Sequence, residues 1–287
     1  MLDIKTIWKK YSEIDSQELI ILFSLAIRQS KEFVLSHTDY KMSCLERWRL
    51  WWLTKRHKQG WPTAYLARHK EFYGLNFLVN KNTLIPRSST ESMVELVIEN
   101  LKNNHSEPRK MLIDIGTGTG CIPISIIKTL NDSNIKTIAT DISKKALRVA
   151  KQNAQRHNVD IQFIHGDLLK PFINNYSAII NNRRLFITAN LPYLTQNWIK
   201  SEPGIQKEPI SALLSDNKHG LSLYEKFFQQ IKFIILNFNS SPSIFIEIDS
   251  RQSVMAMELA KKYFPKAKIE IKKDLARRDR ILTIYQN

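Results

Sequence analysis

The stretch Met111–Gly120 limits the fold more than any other part of this 287-residue chain. It reads MLIDIGTGTG, an apolar run that ends in three glycines at alternate positions. This pattern predicts a buried strand that opens into a tight turn, followed by a helix that begins near Cys121. Glycine allows a positive φ and the close approach of a ligand, and a helix N-terminus presents unpaired N–H groups. The stretch is therefore typical of a cradle for a nucleotide-like ligand.

The spacing of the glycines separates the kinds of cradle. Dinucleotide-binding folds use Gly-x-Gly-x-x-Gly, and phosphate loops use Gly-x-x-x-x-Gly-Lys followed by Ser or Thr. Here the glycines alternate and no lysine follows. The pattern resembles motif I of the S-adenosylmethionine-dependent methyltransferases, in which an acid is usual at the place of Asp114. A turn that binds nothing and a hydride-transferring enzyme are the alternatives for this motif taken alone. The predicted cofactor-binding residues of the turn are Gly116, Thr117, Gly118, Thr119 and Gly120.

The order of elements after Met111 predicts an α/β, Rossmann-like fold. Strands and helices alternate, which indicates a parallel sheet covered by helices on both faces. Ligands of such sheets bind beyond the carboxyl ends of the strands, which here are Gly116, Asp141, Asp167 and Asn190. The last two apolar runs should pair antiparallel. The predicted strands after the first are 135–140, 161–164, 185–189, 243–248, 267–272 and 280–285.

Two acids at strand ends are further candidates for cofactor binding. Asp141 lies about twenty residues after the glycine turn, where an acid can accept both ribose hydroxyls of an adenosine. It could instead cap the next helix, although Ser143 can serve that purpose equally well. Asp167 could accept from an adenine amino group, with Leu168 packing on the ring; the alternative is an acid that faces water.

Asn190-Leu-Pro-Tyr193 is the most specific motif. The Asn190 side-chain oxygen and a neighbouring main-chain carbonyl, fixed by Pro192, can accept two hydrogen bonds from a flat NH2 group and orient its nitrogen towards a methyl donor. Tyr193 can stack on the planar group and exclude water. We predict Asn190 and Tyr193 as catalytic, Asn190, Leu191, Pro192 and Tyr193 as substrate-binding, and Asn190 as touching the cofactor too.

Three regions follow from the patterning. Residues 1–70 have helical periodicity and almost no glycine, which predicts a small helical domain. We assign substrate recognition to this domain as an expectation. Residues 71–90 begin with a β-hairpin centred on Gly74 and form a linker. Residues 91–287 form the methyltransferase domain.

Tryptophans and cations mix on the second long helix of the first region, predicted at 41–57. Trp48, Trp51 and Trp52 alternate with arginines and lysines there. Aromatic rings among cations can stack on bases or on a protein partner. Tryptophans in this arrangement more often face a core while the cations face water, so both interpretations stay open.

Net charge and cysteine content limit which partners and which cellular compartment are plausible for this chain. The chain has 43 basic and 27 acidic residues, a net charge of +16, which favours an acidic partner: RNA, the ribosome or an acidic protein. Compositional drift would give the same excess. Cys44 and Cys121 cannot build a disulfide framework or a metal site. No signal peptide is evident, and the apolar run 19–27 is too short to span a bilayer, so we expect a cytoplasmic protein. We also expect a monomer, and no metal site.

The chain resembles the peptide chain release factor glutamine methyltransferases from about Gly60 onward. The short matches occur in one order, which makes the likeness specific. They are Ala64-Tyr-Leu, Glu71-Phe-Tyr-Gly-Leu, Leu84-Ile-Pro-Arg87, Thr90-Glu91, Asp114 to Ile122, Asp141-Ile-Ser, Ala146-Leu, Ala150-x-x-Asn-Ala, Asn190-x-Pro-Tyr193, His219-Gly-Leu and Asp274-Leu-Ala-Arg-Arg-Asp-Arg280.

The resemblance implies methyl transfer from S-adenosylmethionine to the glutamine side-chain amide in the Gly-Gly-Gln motif of a release factor, its protein partner. It implies that the cofactor lies on the glycine turn, Asp141, the Asp167-Leu168 corner and Asn190, and that the target amide lies on Asn190 to Tyr193.

Three segments depart from the family pattern. Leu191 stands where the family usually has proline, Ser88-Ser89 replaces Pro-Glu, and 215–219 replaces an acidic, double-glycine stretch. Asn-Leu-Pro-Tyr also resembles the ribosomal RNA adenine N6-dimethyltransferases, so an RNA or DNA adenine methyltransferase is the alternative enzyme. A non-catalytic RNA- or ribosome-binding protein on this fold is the third interpretation.

Overall fold

The computed structural model describes residues 2–104, 109–132, 134–175, 183–215, 219–238 and 241–286. Its contacts divide the chain into two compact units, Met1–His69 with Glu202–Lys207, and Lys70–Ser201 with Glu208–Asn287. No helix within these residues combines the length and the apolar character needed to cross a membrane.

The first unit is built from helices. Its two long helices have side-chain caps: Asp15 accepts from the N–H groups of Gln17 and Glu18, and Ser43 forms a capping box with Glu46. Apolar side chains of both helices form one core, which confirms the predicted helical region. The helices are α1 (Ile4–Trp8), α2 (Ser16–Ile27), α3 (Lys31–Ser36), α4 (Cys44–Lys58) and α5 (Thr63–Ala67).

The tryptophans of α4 face solvent, so the interpretation that buried them is wrong. Trp48, Trp51 and Trp52 are 58%, 49% and 41% exposed. The helix instead buries Leu50 and Leu53, and cations of the same face lie over the exposed rings. Aromatic and basic residues therefore share one surface.

The second unit begins with the predicted hairpin, formed by β1 (His69–Phe72) and β2 (Leu75–Leu78). Asn153, an interior residue of the helix Lys144–His157, accepts from the Leu78 N–H at 2.7 Å and donates to the Leu78 carbonyl at 3.1 Å. Phe72 and Phe77 are buried against the sheet core. The hairpin is therefore held on this unit by its buried apolar side chains and by two hydrogen bonds between the Asn153 side chain and the Leu78 main chain.

A seven-stranded sheet forms the centre of the second unit. Its order is β5-β4-β3-β6-β7-β9-β8; the first five strands are parallel, and β9 is antiparallel to β7 and β8, as expected for the last two runs. The strands are β3 (Lys110–Ile115), β4 (Lys136–Asp141), β5 (Gln162–His165), β6 (Arg184–Ala189), β7 (Ser243–Glu247), β8 (Lys268–Lys273) and β9 (Asp279–Tyr285).

Both faces of the sheet are buried, as the sequence predicts. In β3, Met111, Ile113 and Ile115 belong to one core cluster, while Leu112 belongs to the other. The helices of this unit are α6 (Glu91–Asn103), α7 (Cys121–Leu130), α8 (Lys144–His157), α9 (Lys170–Asn175), α10 (Gln196–Ser201), α11 (Ser222–Phe238) and α12 (Ser253–Tyr263).

The topology fixes where a ligand can bind. From β3 the chain moves outward through β4 to β5, then returns to the other side of β3 as β6. The strand order therefore reverses at β3, and such a switch point opens a crevice at the carboxyl ends of the strands. The glycine turn after β3 and Asn190 after β6 lie on either side of it.

Candidate active site

Three left-handed glycines form the turn after β3. Gly116, Gly118 and Gly120 have φ values of 70°, 57° and 79°, a region that residues with side chains disfavour. The Thr117 N–H donates to the Thr140 carbonyl at 2.9 Å, which ties the turn to β4. The predicted strand-to-helix turn is confirmed.

Asp141 holds this turn from the end of β4. Its Oδ2 accepts from the Gly118 N–H at 2.9 Å, and its Oδ1 accepts from the Ser143 N–H at 2.7 Å. The Ser143 hydroxyl caps α8 by accepting from the Ala146 N–H. Burial raises the pKa of Asp141, although both N–H groups oppose the rise. Capping thus falls to Ser143, and Asp141 lies in the wall of the crevice.

Asp114 lies beneath the turn and is fully buried. Its Oδ1 accepts from the Thr188 hydroxyl at 2.7 Å. Its Oδ2 and the Thr117 hydroxyl oxygen have no hydrogen-bond partner within the described part of the chain. Burial raises the pKa of Asp114 to about 7, and the nearby threonine hydroxyls offset only part of that rise.

The Asp167-Leu168 corner closes the side of the crevice beyond β5. Asp167 Oδ2 accepts from Lys226 at 2.7 Å and from Lys170 at 2.9 Å, and although partial burial opposes it, these lysines lower the pKa of Asp167. Leu168 has a φ of 54°, and its carbonyl accepts from the Thr140 hydroxyl at 3.2 Å. Both corner residues line the crevice; a bond from Asp167 to adenine remains a prediction.

Asn190 is held by a buried carboxylate from the neighbouring strand. Its Nδ2 donates to Glu247 Oε2 at 2.9 Å and lies 3.4 Å from the Thr90 hydroxyl oxygen, which itself donates to Glu247 at 2.6 Å. A carboxylate accepts and does not donate, so Glu247 selects the amide nitrogen of Asn190 as its partner. The Asn190 side-chain oxygen is thereby kept as the acceptor at the crevice wall.

In the rest of the Asn190–Tyr193 motif, two residues line the crevice and the third lies behind its wall. Leu191 and Pro192 line the crevice with Asn190. The Tyr193 side chain does not, and its carbonyl accepts from Gln252 Nε2 at 3.0 Å. Burial raises the pKa of Tyr193, so the phenol stays protonated. Its stacking on a target amide remains a prediction.

A loop covers the crevice from the side of α6. Glu208 accepts from the Ile85 N–H at 3.0 Å and from the guanidinium of Arg87, and its side chain is 1% exposed. A buried carboxylate is stable only when paired in this way. The crevice has a volume of about 270 Å³ and is lined on this side by Leu84, Ile85, Pro86, Arg87 and Thr90.

The residues around the crevice fit S-adenosylmethionine. Backbone without Cβ atoms at Gly116 and Gly118 allows close approach, and the Thr117 hydroxyl on the crevice wall is a buried polar atom with no hydrogen-bond partner among the described residues. Asp141 adds a carboxylate suited to ribose hydroxyls. Of the predicted cofactor residues, only Gly120 lies outside the lining, because it caps α7.

Several residues of this site are absent from the sequence predictions. Glu247 ends β7, so the rule that strand ends meet at one edge could have indicated it. Glu208 and Tyr224, whose hydroxyl accepts from the Leu191 N–H, carry no such signal, because each acts through a partner far along the chain. The altered 215–219 loop lies partly outside the described residues, which omit 216–218.

Fold and site define the class of the protein. A family model, the Methyltransferase small domain, matches residues 81–186, and the catalytic domain of hMettl16 has the same fold, with a TM-score of 0.56 at 16% identity over 75% of each chain. The protein is an S-adenosylmethionine-dependent methyltransferase.

The chain belongs to the release factor glutamine methyltransferase family. The Bacillus subtilis member is 31% identical over 94% of this chain and 90% of that protein. The Flavobacterium psychrophilum member is 33% identical over 95% and 92%. The Enterococcus faecalis member is 36% identical over 77% and 74%. Because these matches cover most of both chains, the likeness named in the sequence is confirmed.

Proposed function

We propose that this protein transfers the methyl group of S-adenosylmethionine to the side-chain amide nitrogen of the glutamine in the Gly-Gly-Gln motif of a peptide chain release factor. The observation that carries the proposal is that Asn190 lines the crevice while Glu247 binds its amide nitrogen, which leaves its amide oxygen as the acceptor for a substrate. Family membership supports the same substrate.

The cofactor supplies an electrophilic methyl group on a sulfonium. The chain supplies position: Asn190 Oδ1 and the Leu191 main-chain carbonyl would accept hydrogen bonds from the two N–H groups of the target amide and would orient its nitrogen towards the methyl group. As the nitrogen gains positive charge, both acceptors stabilise it. Leu191 and Pro192 keep water from the reacting atoms. The thioether S-adenosylhomocysteine would be the leaving group, and the methylated nitrogen would lose one proton to solvent as the product leaves, so alignment and a dry pocket suffice without a strong base.

The test is incubation with labelled S-adenosylmethionine and either a bacterial release factor or unmodified ribosomal RNA, followed by peptide mass spectrometry. We expect one methyl group on the Gly-Gly-Gln glutamine and none when that glutamine is replaced by alanine. Label in RNA alone would overturn the proposal and favour adenine methylation.

Asn190→Ala gives the matching test on the enzyme. The change removes the acceptor that would hold the target amide, so we expect transfer to fall at least about a hundredfold. It also removes a donor from the buried Glu247 carboxylate, so the Tm should fall moderately while the protein still folds. Unchanged transfer in this variant would contradict the assignment of Asn190.

A further inference from the structure

Leu191 has a buried backbone N–H whose partner is a side chain. The residue is 3% exposed, and its N–H donates to the Tyr224 hydroxyl oxygen at 3.2 Å. Tyr224, on α11, is completely buried, and its hydroxyl donates onward to the main-chain carbonyl of Glu247. Burial raises the pKa of Tyr224, so the phenol remains a donor. A continuous chain of two hydrogen bonds thus joins the substrate loop to β7.

This chain of bonds bears on the difference at position 191. Proline has a fixed φ and no N–H, so a loop with proline here is stiff and needs no acceptor. Leucine gives up that stiffness and brings a buried N–H that is costly to leave unpaired. Only a fixed acceptor at the right place makes leucine compatible with a rigid loop, and the Tyr224 hydroxyl is such an acceptor.

Glu247 joins both supports of the loop. Its carboxylate binds the Asn190 side chain, and its carbonyl receives the Tyr224 hydroxyl that binds Leu191. Asn190 Oδ1 and the carbonyl at 191 are therefore positioned relative to the same strand residue. The far end of the loop has its own support, because Gln252 donates to the Tyr193 carbonyl.

We infer that Tyr224 is a positioning residue for methyl transfer, whose hydroxyl fixes the loop Asn190–Tyr193 in place of the rigidity that proline would give. The inference rests on the proposed function for its catalytic part. Tyr224 touches neither substrate nor cofactor in this assignment; it acts through the Leu191 N–H. Its loss should lower kcat and leave cofactor affinity nearly unchanged.

The experiment compares four variants: Tyr224→Phe, Leu191→Pro, the double variant, and the control Tyr263→Phe. Phenylalanine keeps the buried ring, so the core is retained. Tyr263 also lies near α11, where its hydroxyl donates to Glu225 and accepts from Gln229, and among the described residues no hydrogen bond or ring contact joins it to the loop. The readouts are deuterium exchange at the Leu191 amide, kcat and KM with a release factor, and calorimetry of S-adenosylhomocysteine binding.

We expect Tyr224→Phe to speed exchange at Leu191 and to lower kcat by about tenfold each, with cofactor affinity within about twofold. With proline at 191, the same change should lower kcat by less than about twofold. Tyr263→Phe should leave exchange and kcat unchanged. An equal loss of kcat with leucine and with proline, or unchanged exchange at Leu191, would overturn the inference.

Exchange needs no substrate, so it separates this inference from the proposed function. Faster deuterium exchange at the Leu191 amide in Tyr224→Phe would support the role of the Tyr224–Leu191 hydrogen bond even if release factor were not methylated. If the wild type methylates the release factor but the effects of changes at positions 191 and 224 are independent, the positioning role of Tyr224 is contradicted and the proposed function still holds. If Leu191→Pro failed to fold, the contrast between Tyr224→Phe and Tyr263→Phe in exchange would decide.

Discussion

At this site the role of each side chain depends on the groups that bind it and on how deeply it is buried. Asn190 is useful because Glu247 takes its nitrogen, and Asp141 can face a ribose because two backbone N–H groups hold its carboxylate. Asp114 is the opposite case, since burial removes water from one oxygen and no group within the described residues replaces it. Ionising Asp114 should therefore lower the stability of the cofactor-free protein measurably.

The pH dependence of stability tests Asp114. Its pKa is raised to about 7, so between about pH 4 and pH 7 the folded protein holds a proton that the unfolded chain has released. Stability should fall as pH rises through this window, because ionising a buried carboxyl is unfavourable. Asp114→Asn cannot ionise, so we expect its Tm, relative to the wild type, to increase from pH 5 to pH 8 in cofactor-free protein.

Asp249→Asn is the control for that series. Although burial opposes it, Arg251 lowers the pKa of Asp249, so this carboxylate contributes stability that is lost only at acidic pH. The difference between this variant and the wild type should be flat from pH 5 to pH 8. A flat difference for Asp114→Asn as well would show that Asp114 does not titrate in this range.

At the scale of elements, local signals predicted what is local. The glycine turn and the strand ends at Asp141 and Asn190 follow from neighbouring residues, and the structure has them. The sequence leaves the direction of the Trp-bearing face of α4 open, because periodicity shows that a helix has two faces without showing which one a core covers. Here Leu50 and Leu53 face that core.

The partners of the site lie beyond local signals. Glu247 and Asn190 are 57 residues apart, and Tyr224 and Leu191 are 33 apart. Their pairing depends on β7 lying beside β6 and on α11 packing over both strands, which no short pattern specifies. The sequence therefore predicts which side chain reacts more readily than it predicts what positions that side chain.

Two glycines of the turn should respond differently to alanine. A Cβ at Gly120 would lie 2.9 Å from Ile124 Cδ1 and 3.3 Å from Ala150 Cβ, whereas at Gly118 its nearest neighbour is the Gly116 carbonyl oxygen at 3.9 Å. Both changes cost roughly 1–2 kcal/mol for the positive φ, and Gly120→Ala adds roughly 1–3 kcal/mol of overpacking. Urea unfolding should find Gly120→Ala the less stable variant.

The same two variants should rank in the reverse order for cofactor affinity, with Gly118→Ala the more affected. Gly118 lines the crevice, so its new methyl group would occupy space that the ligand needs, and we expect affinity for S-adenosylhomocysteine to fall more in Gly118→Ala. Equal losses of stability in the two variants would contradict the packing of the turn described above. Tighter or unchanged binding by Gly118→Ala would contradict its place in the cradle.

For the whole molecule, the net charge of +16 is the property that the site does not explain. Cations are present on both units, and on α4 they share a surface with exposed tryptophans. Long-range attraction of this kind acts on any polyanion and is screened within about 10 Å at 0.1 M salt. Charge alone therefore predicts binding without selecting a reaction.

We expect the protein to bind a ribosomal RNA fragment at 50 mM salt and to lose at least about tenfold in affinity by 200 mM, the loss for about two neutralised phosphates. RNA should gain no methyl group at either salt concentration, because the release-factor amide is the proposed substrate of the crevice. Filter binding and incorporation of labelled methyl from the same mixtures measure both quantities. Salt-independent affinity would show that the charge excess does not act in binding, whereas label in RNA would mean that Leu191 marks an adenine methyltransferase.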